Sequence, residues 1–168
     1  MTDAPPEPLH EPLCEPVAEP LQGRCLCGAV EIVLKGARPE VDICHCAMCR
    51  RWGGSFFGGL KGASFEISGG DAVTSYASSA WAERAFCSTC GSNLWFRFTP
   101  SDHYSFLAGL FDIPPEIDRC MGIEQQIFID EKPAWYDLVQ TSPMKTGAQV
   151  IAEARAAGFD LGEVSASD

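Results

Sequence analysis

Residues 85–98 read AFCSTCGSNLWFRF, and this stretch decides the fold. A Cys-x-x-Cys followed by glycine makes a tight knuckle whose two sulfurs, here Cys87 and Cys90, converge on one ion. The run that follows, NLWFRF (93–98), has the aromatic content of a strand. Two sulfurs are half of a tetrahedron, and a second half stands far upstream at Cys25-Leu26-Cys27. In extended backbone a Cys-x-Cys pair points both side chains to the same face. Bringing residues 25–27 to residues 87–90 requires the chain between them to return beside its start, which antiparallel sheets do and a local finger does not.

Outward from that crosslink the texture is one of short apolar or alternating runs separated by Gly, Ser and Asp. They are AVEIVLK (29–35), SFFGGL (55–60), SFEIS (64–68), YSFLAGL (104–110) and QIFID (126–130). With NLWFRF these six segments, and no long helical pattern between them, predict a mainly β, antiparallel core. The pairs Gly53-Gly54, Gly58-Gly59 and Gly69-Gly70 mark bulges, turns or close backbone approach. One helix is expected near the C-terminus, in GAQVIAEARAAG ending at Gly158.

A third thiol group, Cys44-His45-Cys46-Ala47-Met48-Cys49, brings the clustered cysteines to seven of the nine in the chain. Disulfides and buried apolar cysteines account poorly for seven thiols so grouped, whereas metal ligation accounts for them directly. Seven divides as four plus three. Four thiolates saturate a tetrahedral zinc and make it structural; three leave a position for water or substrate. The separated pairs Cys25, Cys27, Cys87 and Cys90 are the natural closed site, because tying distant segments stabilises a fold. The compact group Cys44, Cys46 and Cys49 is then the open one. The reverse grouping, iron at the four-cysteine site, and completion of the second site by His45 or Cys120 stay open at this stage. His45, alternating with its neighbours, points away from them.

The chain has 168 residues, 46% hydrophobic, and a net charge of −11. That is enough for one domain with a core of its own. Residues 1–23 hold Asp3, Glu7, Glu11, Glu15 and Glu19 with no Lys or Arg, and proline recurs at positions 8, 12, 16 and 20. Proline every fourth residue forbids a helix, so residues 1–21 read as an extended Glu/Pro-rich tail, either solvating or a docking arm, with Cys14 a bystander within it. A metal-binding domain over 22–140 and a C-terminal helix and tail over 141–168 complete the expected organisation. No basic stripe suits a phosphate backbone or an anionic membrane. The start lacks the order of a signal peptide, and cysteines grouped as ligands suit a reducing, cytoplasmic setting.

The order GRCLCGAVEIVL, CHCAMCRRWGGSFF, YASSAWAERAFCSTCGSNLWFR and IFIDEKPAWYDL resembles the glutathione-dependent formaldehyde-activating enzyme family, to which the centromere protein V type domain also belongs. The likeness spans about residues 22 to 138. It implies a fold of antiparallel sheets joined at a zinc, the β-tent. It also implies two zincs per chain: a structural one on Cys25, Cys27, Cys87 and Cys90 and a catalytic one on Cys44, Cys46 and Cys49. The implied activity is addition of glutathione to formaldehyde, formally a carbon–sulfur lyase run in reverse.

A zinc held by three thiolates is a weak Lewis acid toward a carbonyl, so its natural role is to deprotonate an incoming thiol. Arg50 and Arg51, following the third ligand, are candidates to clamp glutathione carboxylates, or else simply offset thiolate charge. Trp52, Phe56 and Phe57 form either a pocket wall or core. Arg84, Arg97 and His103 have no placement that assigns a role, and no acid–base pair is evident. The competing expectation is a zinc-stabilised protein-binding module with two structural metals and no catalysis. A homodimer is admitted, with no residue arguing for it.

Overall fold

The structure, a computed structural model, describes residues 15–161. These described residues form a three-stranded sheet, an eight-stranded sheet and three short α-helices. The small sheet is antiparallel, in the order β1 (Leu21–Arg24), β2 (Glu31–Lys35), β5 (Ser64–Ser68). Its alternation is clean: Leu21 on β1 and Ile32 and Leu34 on β2 are buried, while Glu31 and Lys35 face water. This period of two is what the apolar runs in the sequence encode.

The large sheet runs β11 (Met144–Lys145), β10 (Gly122–Ile127), β3 (Glu40–Cys44), β4 (Phe57–Leu60), β9 (His103–Leu107), β8 (Asn93–Phe98), β7 (Ala82–Cys87), β6 (Val73–Ser79). From β3 to β6 every pairing is antiparallel. At the other end β10 lies parallel to both β3 and β11, so the fold is mainly antiparallel with a parallel margin. A long return from β9 through a short helix α2 (Pro115–Asp118) supplies the crossover that a parallel pair needs.

The main core fills the space between the two sheets. Leu21, Ile32 and Leu34 from the small sheet meet Leu60, Ala85, Leu94 and Phe106 from the large one, all at 5% exposure or less. Phe65 stacks obliquely on Tyr104 at 4.7 Å and on Phe106 at 5.0 Å, tying β5 to β9. A second, smaller apolar cluster forms on Cys44, Cys46, Cys49 and Phe57, with Trp52, Phe96, Leu107, Ile127 and Phe128 packed around it. The two thiol groups thus sit in separate packing environments of one fold.

Helix α1 (Ala47–Gly53) and helix α3 (Gly147–Ala156) both start on carboxylates from one bend. After β10 the chain passes through Phe128 at φ 56°, a left-handed conformation that a bulky residue adopts only when packing holds it there. Two and three residues on, Asp130 and Glu131 accept from Gly147 N (2.8 Å) and Ala47 N (2.7 Å) respectively. Orphan donors and positive dipole ends of two helices are satisfied together. Thr146 and Gln149 close a full capping box on α3.

Of the expected Glu/Pro tail, residues 1–14, including Cys14, lie outside the described residues. Within 15–21, Val17 is buried and donates its N–H to Ala37 O at 2.9 Å, and Leu21 opens β1. Two apolar side chains among the prolines anchor this end of the segment to the core. No helix among the described residues is long and apolar enough to cross a membrane.

Candidate metal centres and the cleft beside them

The first thiol group lies at the join of the two sheets. Cys25 follows β1, and a turn through Gly28 at φ 77° lets the chain double back so that Val30 donates to Cys25 Sγ at 3.3 Å. Cys87 ends β7, and the turn through Gly91 at φ 75° folds Cys90 back beside it. Gly28 and Gly91 adopt a backbone conformation that only glycine takes without strain. The four sulfurs of Cys25, Cys27, Cys87 and Cys90 lie within 4.8 Å of one another, with Cys25–Cys27 at 3.6 Å and Cys27–Cys87 at 3.9 Å. A tetrahedron of sulfurs about 2.3 Å from zinc has edges of roughly 3.8 Å, so this donor set fits that ion.

Neighbouring donors prepare Cys25 and Cys90 for ionisation, while Cys27 is raised to about 11, the Ala29 N–H being outweighed by desolvation and the other thiols. Burial works against the Cys25 thiolate, but hydrogen bonds from the Val30 N–H and the Cys27 and Cys87 thiols together outweigh it and lower the pKa. Cys90 is drawn down to about 5, chiefly by Ser92, whose Oγ is 3.2 Å away. Ser92 Oγ also accepts from Leu26 N at 3.0 Å, stitching one pair to the other.

The second group is built by a strand running straight into a helix. Cys44 ends β3, Cys46 caps α1 with its sulfur accepting from Cys49 N at 3.4 Å, and Cys49 lies one turn later on the same face. All three thiols are buried, and their sulfurs lie within 4.8 Å of one another. Left to share protons, they divide unequally. Hydrogen bonds from Cys44 and Cys49 lower Cys46, while the same bond to Cys46 and burial raise Cys44 well above its ordinary value. Cys49, drawn down by Cys44 but pushed up by Cys46 and burial, stands at about 11. Three thiolates in this apolar niche therefore require a cation among them, which again fits a bound metal.

His45 lies between two of these cysteines and turns away. Its Nδ1 is 2.7 Å from Tyr136 OH and its Nε2 is 3.0 Å from Gln126 Oε1, so both ring nitrogens are engaged, and burial lowers its pKa. Cys120 belongs to neither thiol group. Arg50 and Arg51, on the last turn of α1, line a cavity of about 270 Å³ with Ala47, Gly54, Ser55, Pro133 and Trp135. Arg50 is half committed, its Nε donating to His45 O at 3.0 Å and its Nη2 lying 4.0 Å from Glu131. Arg51 is exposed. Trp52 and Phe57 stack at 5.6 Å and pack on the thiols; Phe56 instead lies against His45 and Tyr136.

Two features here are absent from the sequence reading. Tyr136, far along the chain and half-buried, completes a Gln126–His45–Tyr136 series, with Tyr136 OH 3.2 Å from Ser55 O. Arg84, which had no evident placement, is 2% exposed and donates from Nη2 to Cys49 Sγ at 3.5 Å. The alternation of β7 would have pointed to it: Ala85 and Cys87 go to the main core, so Arg84 faces the other side. Arg97 pairs at the surface with Glu83 and Asp102, and His103 is exposed.

The sequence pattern of the glutathione-dependent formaldehyde-activating enzyme family matches residues 20–130, and the chain belongs to that family. A Schizosaccharomyces pombe protein described as an uncharacterized lyase is 34% identical over 132 residues, covering 77% of this chain and 93% of that one. A Halomonas elongata protein named for glutathione-dependent formaldehyde activation is 28% identical over 131 residues, covering 70% of this chain and 80% of its own. A crystal structure of a Rhodobacter sphaeroides protein covers 61% of this chain and 98% of its own, with 22% identity and a TM-score of 0.47.

Proposed function

We propose that this protein is a zinc enzyme that adds a small thiol of the glutathione class to formaldehyde or a similar small electrophile. The observation that carries the reading is three buried thiols within 4.8 Å of one another where β3 runs into α1, the helix that also walls an arginine-lined cavity. Cys25, Cys27, Cys87 and Cys90 would hold one zinc as a closed, structural site. Cys44, Cys46 and Cys49 would hold a second. Bound there, zinc would supply a position at which an incoming thiol sheds its proton, since three protein donors leave one unfilled and a coordinated thiol is deprotonated.

The reaction is redox-neutral. A carbon–sulfur bond forms to the aldehyde carbon, the C=O double bond becomes single, and the thiol proton ends on the new hydroxyl oxygen. The chain's residues supply binding and exclusion of water. Arg51 is the freer guanidinium and Arg50, fixed on His45 O, the preorganised one; both suit the carboxylates of a glutathione-like thiol. The cavity is at the small end of ligand sites, which run from about 300 Å³ upward, and favours a compact thiol over a large partner. Trp52, Phe57 and Phe96 keep water from the thiols.

The test is Cys46→Ser. Formation of the thiol–formaldehyde adduct, followed by NMR above the spontaneous rate, should be lost while the protein stays folded with one tightly held zinc. Undiminished catalysis in that variant would refute the reading.

A further inference from the structure

We propose that Arg84 is the counter-ion and positioning residue of the three-cysteine centre, holding its metal and setting its charge through Cys49; this rests on the metal reading just given. A guanidinium stays protonated at any pH the fold survives. Placing one at 2% exposure without an anion is too costly to persist. Among the described residues no carboxylate forms an ion pair with Arg84. Its polar neighbour is Cys49 Sγ, reached by Nη2 at 3.5 Å. Its Nη1 is buried with no hydrogen-bond partner. The anion this side chain was placed to meet is therefore the thiolate group itself.

Its orientation is fixed by more than that contact. The guanidinium carbon lies 4.8 Å from the centre of the Trp52 ring on α1 and 5.5 Å from that of Phe96, its cross-strand partner on β8. Two ring faces hold a cation in place while leaving its in-plane N–H groups free to donate. Three thiolates around a divalent ion carry one net negative charge, which the guanidinium cancels. A thiol that sheds its proton there then adds its negative charge to a neutral buried assembly instead of an anionic one.

The experiment compares wild type, Arg84→Met and Arg84→Lys as full chains loaded with zinc alone, reading the competition constant of each zinc equivalent against a chelator and the melting temperature. Arg84→Met keeps comparable bulk between the rings without the charge. It should bind the second equivalent about 10- to 100-fold more weakly, the usual effect of losing a residue that supports metal ligands. The first equivalent should be unchanged, and Arg84→Lys should recover most of the loss. Wild-type constants in Arg84→Met would overturn the proposal. So would equal loss in both variants with parallel loss of melting temperature, or failure of both Arg84→Met and Arg84→Lys to fold, because either assigns the residue to packing. A wild-type chain that takes up one equivalent would sink the metal reading itself, and the proposal with it.

Discussion

Gly69→Ala is a sharp test of how the small sheet supports the first thiol group. Gly69 stands at φ 75°, and a Cβ there would lie 1.8 Å from Ala29 O. Backbone at that distance cannot swing aside as a side chain can. The left-handed conformation costs a residue with a Cβ about 1–2 kcal/mol, and overpacking of this kind typically adds about 1–3 kcal/mol. The sum, about 2–5 kcal/mol, corresponds to a fall in melting temperature of roughly 4–20 °C for a chain of this size. Gly28→Ala is the matched control, at φ 77° with nothing within 4 Å of the added carbon; it should lose only the conformational part, roughly 2–8 °C. Because Ala29 precedes the Val30 N–H that donates to Cys25 Sγ, pushing it aside should also loosen zinc at the four-cysteine site. Thermal melts with zinc counts on both variants give the answer. Equal melting shifts in Gly69→Ala and Gly28→Ala would refute the steric argument.

Cys87→Ser should unfold or aggregate, since a structural zinc contributes on the order of 10 kcal/mol of binding-coupled folding energy; circular dichroism and metal content check this, against the folded state expected of Cys46→Ser. Lys61 bridges Asp42 and Glu124 (2.7 Å to Glu124), with side chains 18%, 19% and 8% exposed. Lys61→Met should cost about 3 kcal/mol by leaving Asp42 unpaired and Glu124 with Arg38 alone, 4.0 Å away, toward the low end for a buried pair because some water reaches it. Burial draws the Lys61 pKa down, but Asp42 and Glu124 more than reverse this and raise it above 10.5. Its stabilisation is therefore complete below pH 10.5 and lost as pH rises through the higher folded value. The gap between wild type and Lys61→Met, measured by urea unfolding, should narrow above pH 10.5; a gap that stays constant would contradict the sign.

What could be read from the sequence was whatever local spacing encodes. Cys-x-Cys and Cys-x-x-Cys-Gly announce ligand geometry within a few residues, and the six apolar runs all fall on or against strands. Strand β3 was hidden because its alternation carries Glu40 and Asp42 where apolar residues were sought, and Lys61, just past the end of β4, compensates Asp42. Helix α1 was hidden because seven residues carry too little pattern, and its N-cap is a thiol. The parallel placement of β10, the convergence of Tyr136 on His45 and that of Arg84 on Cys49 are long-range facts. They depend on which strand lies beside which, and no window along the chain contains that.

Strand β7 carries chemistry on both faces: Cys87 and Ala85 toward one cluster, Arg84 toward the other. Sliding it by a single residue would offer Phe86 to the metal clasp and drive a guanidinium into hydrocarbon. Most sheets guard their alignment with shape alone; here, on the metal reading proposed above, coordination would proofread it too, because a misaligned β7 cannot bring Cys87 to Cys25, Cys27 and Cys90. Chains refolded without divalent metal should consequently anneal into mixed alignments that later zinc addition resolves, visible as slow hydrogen exchange over residues 82–87 arising only after the ion is supplied.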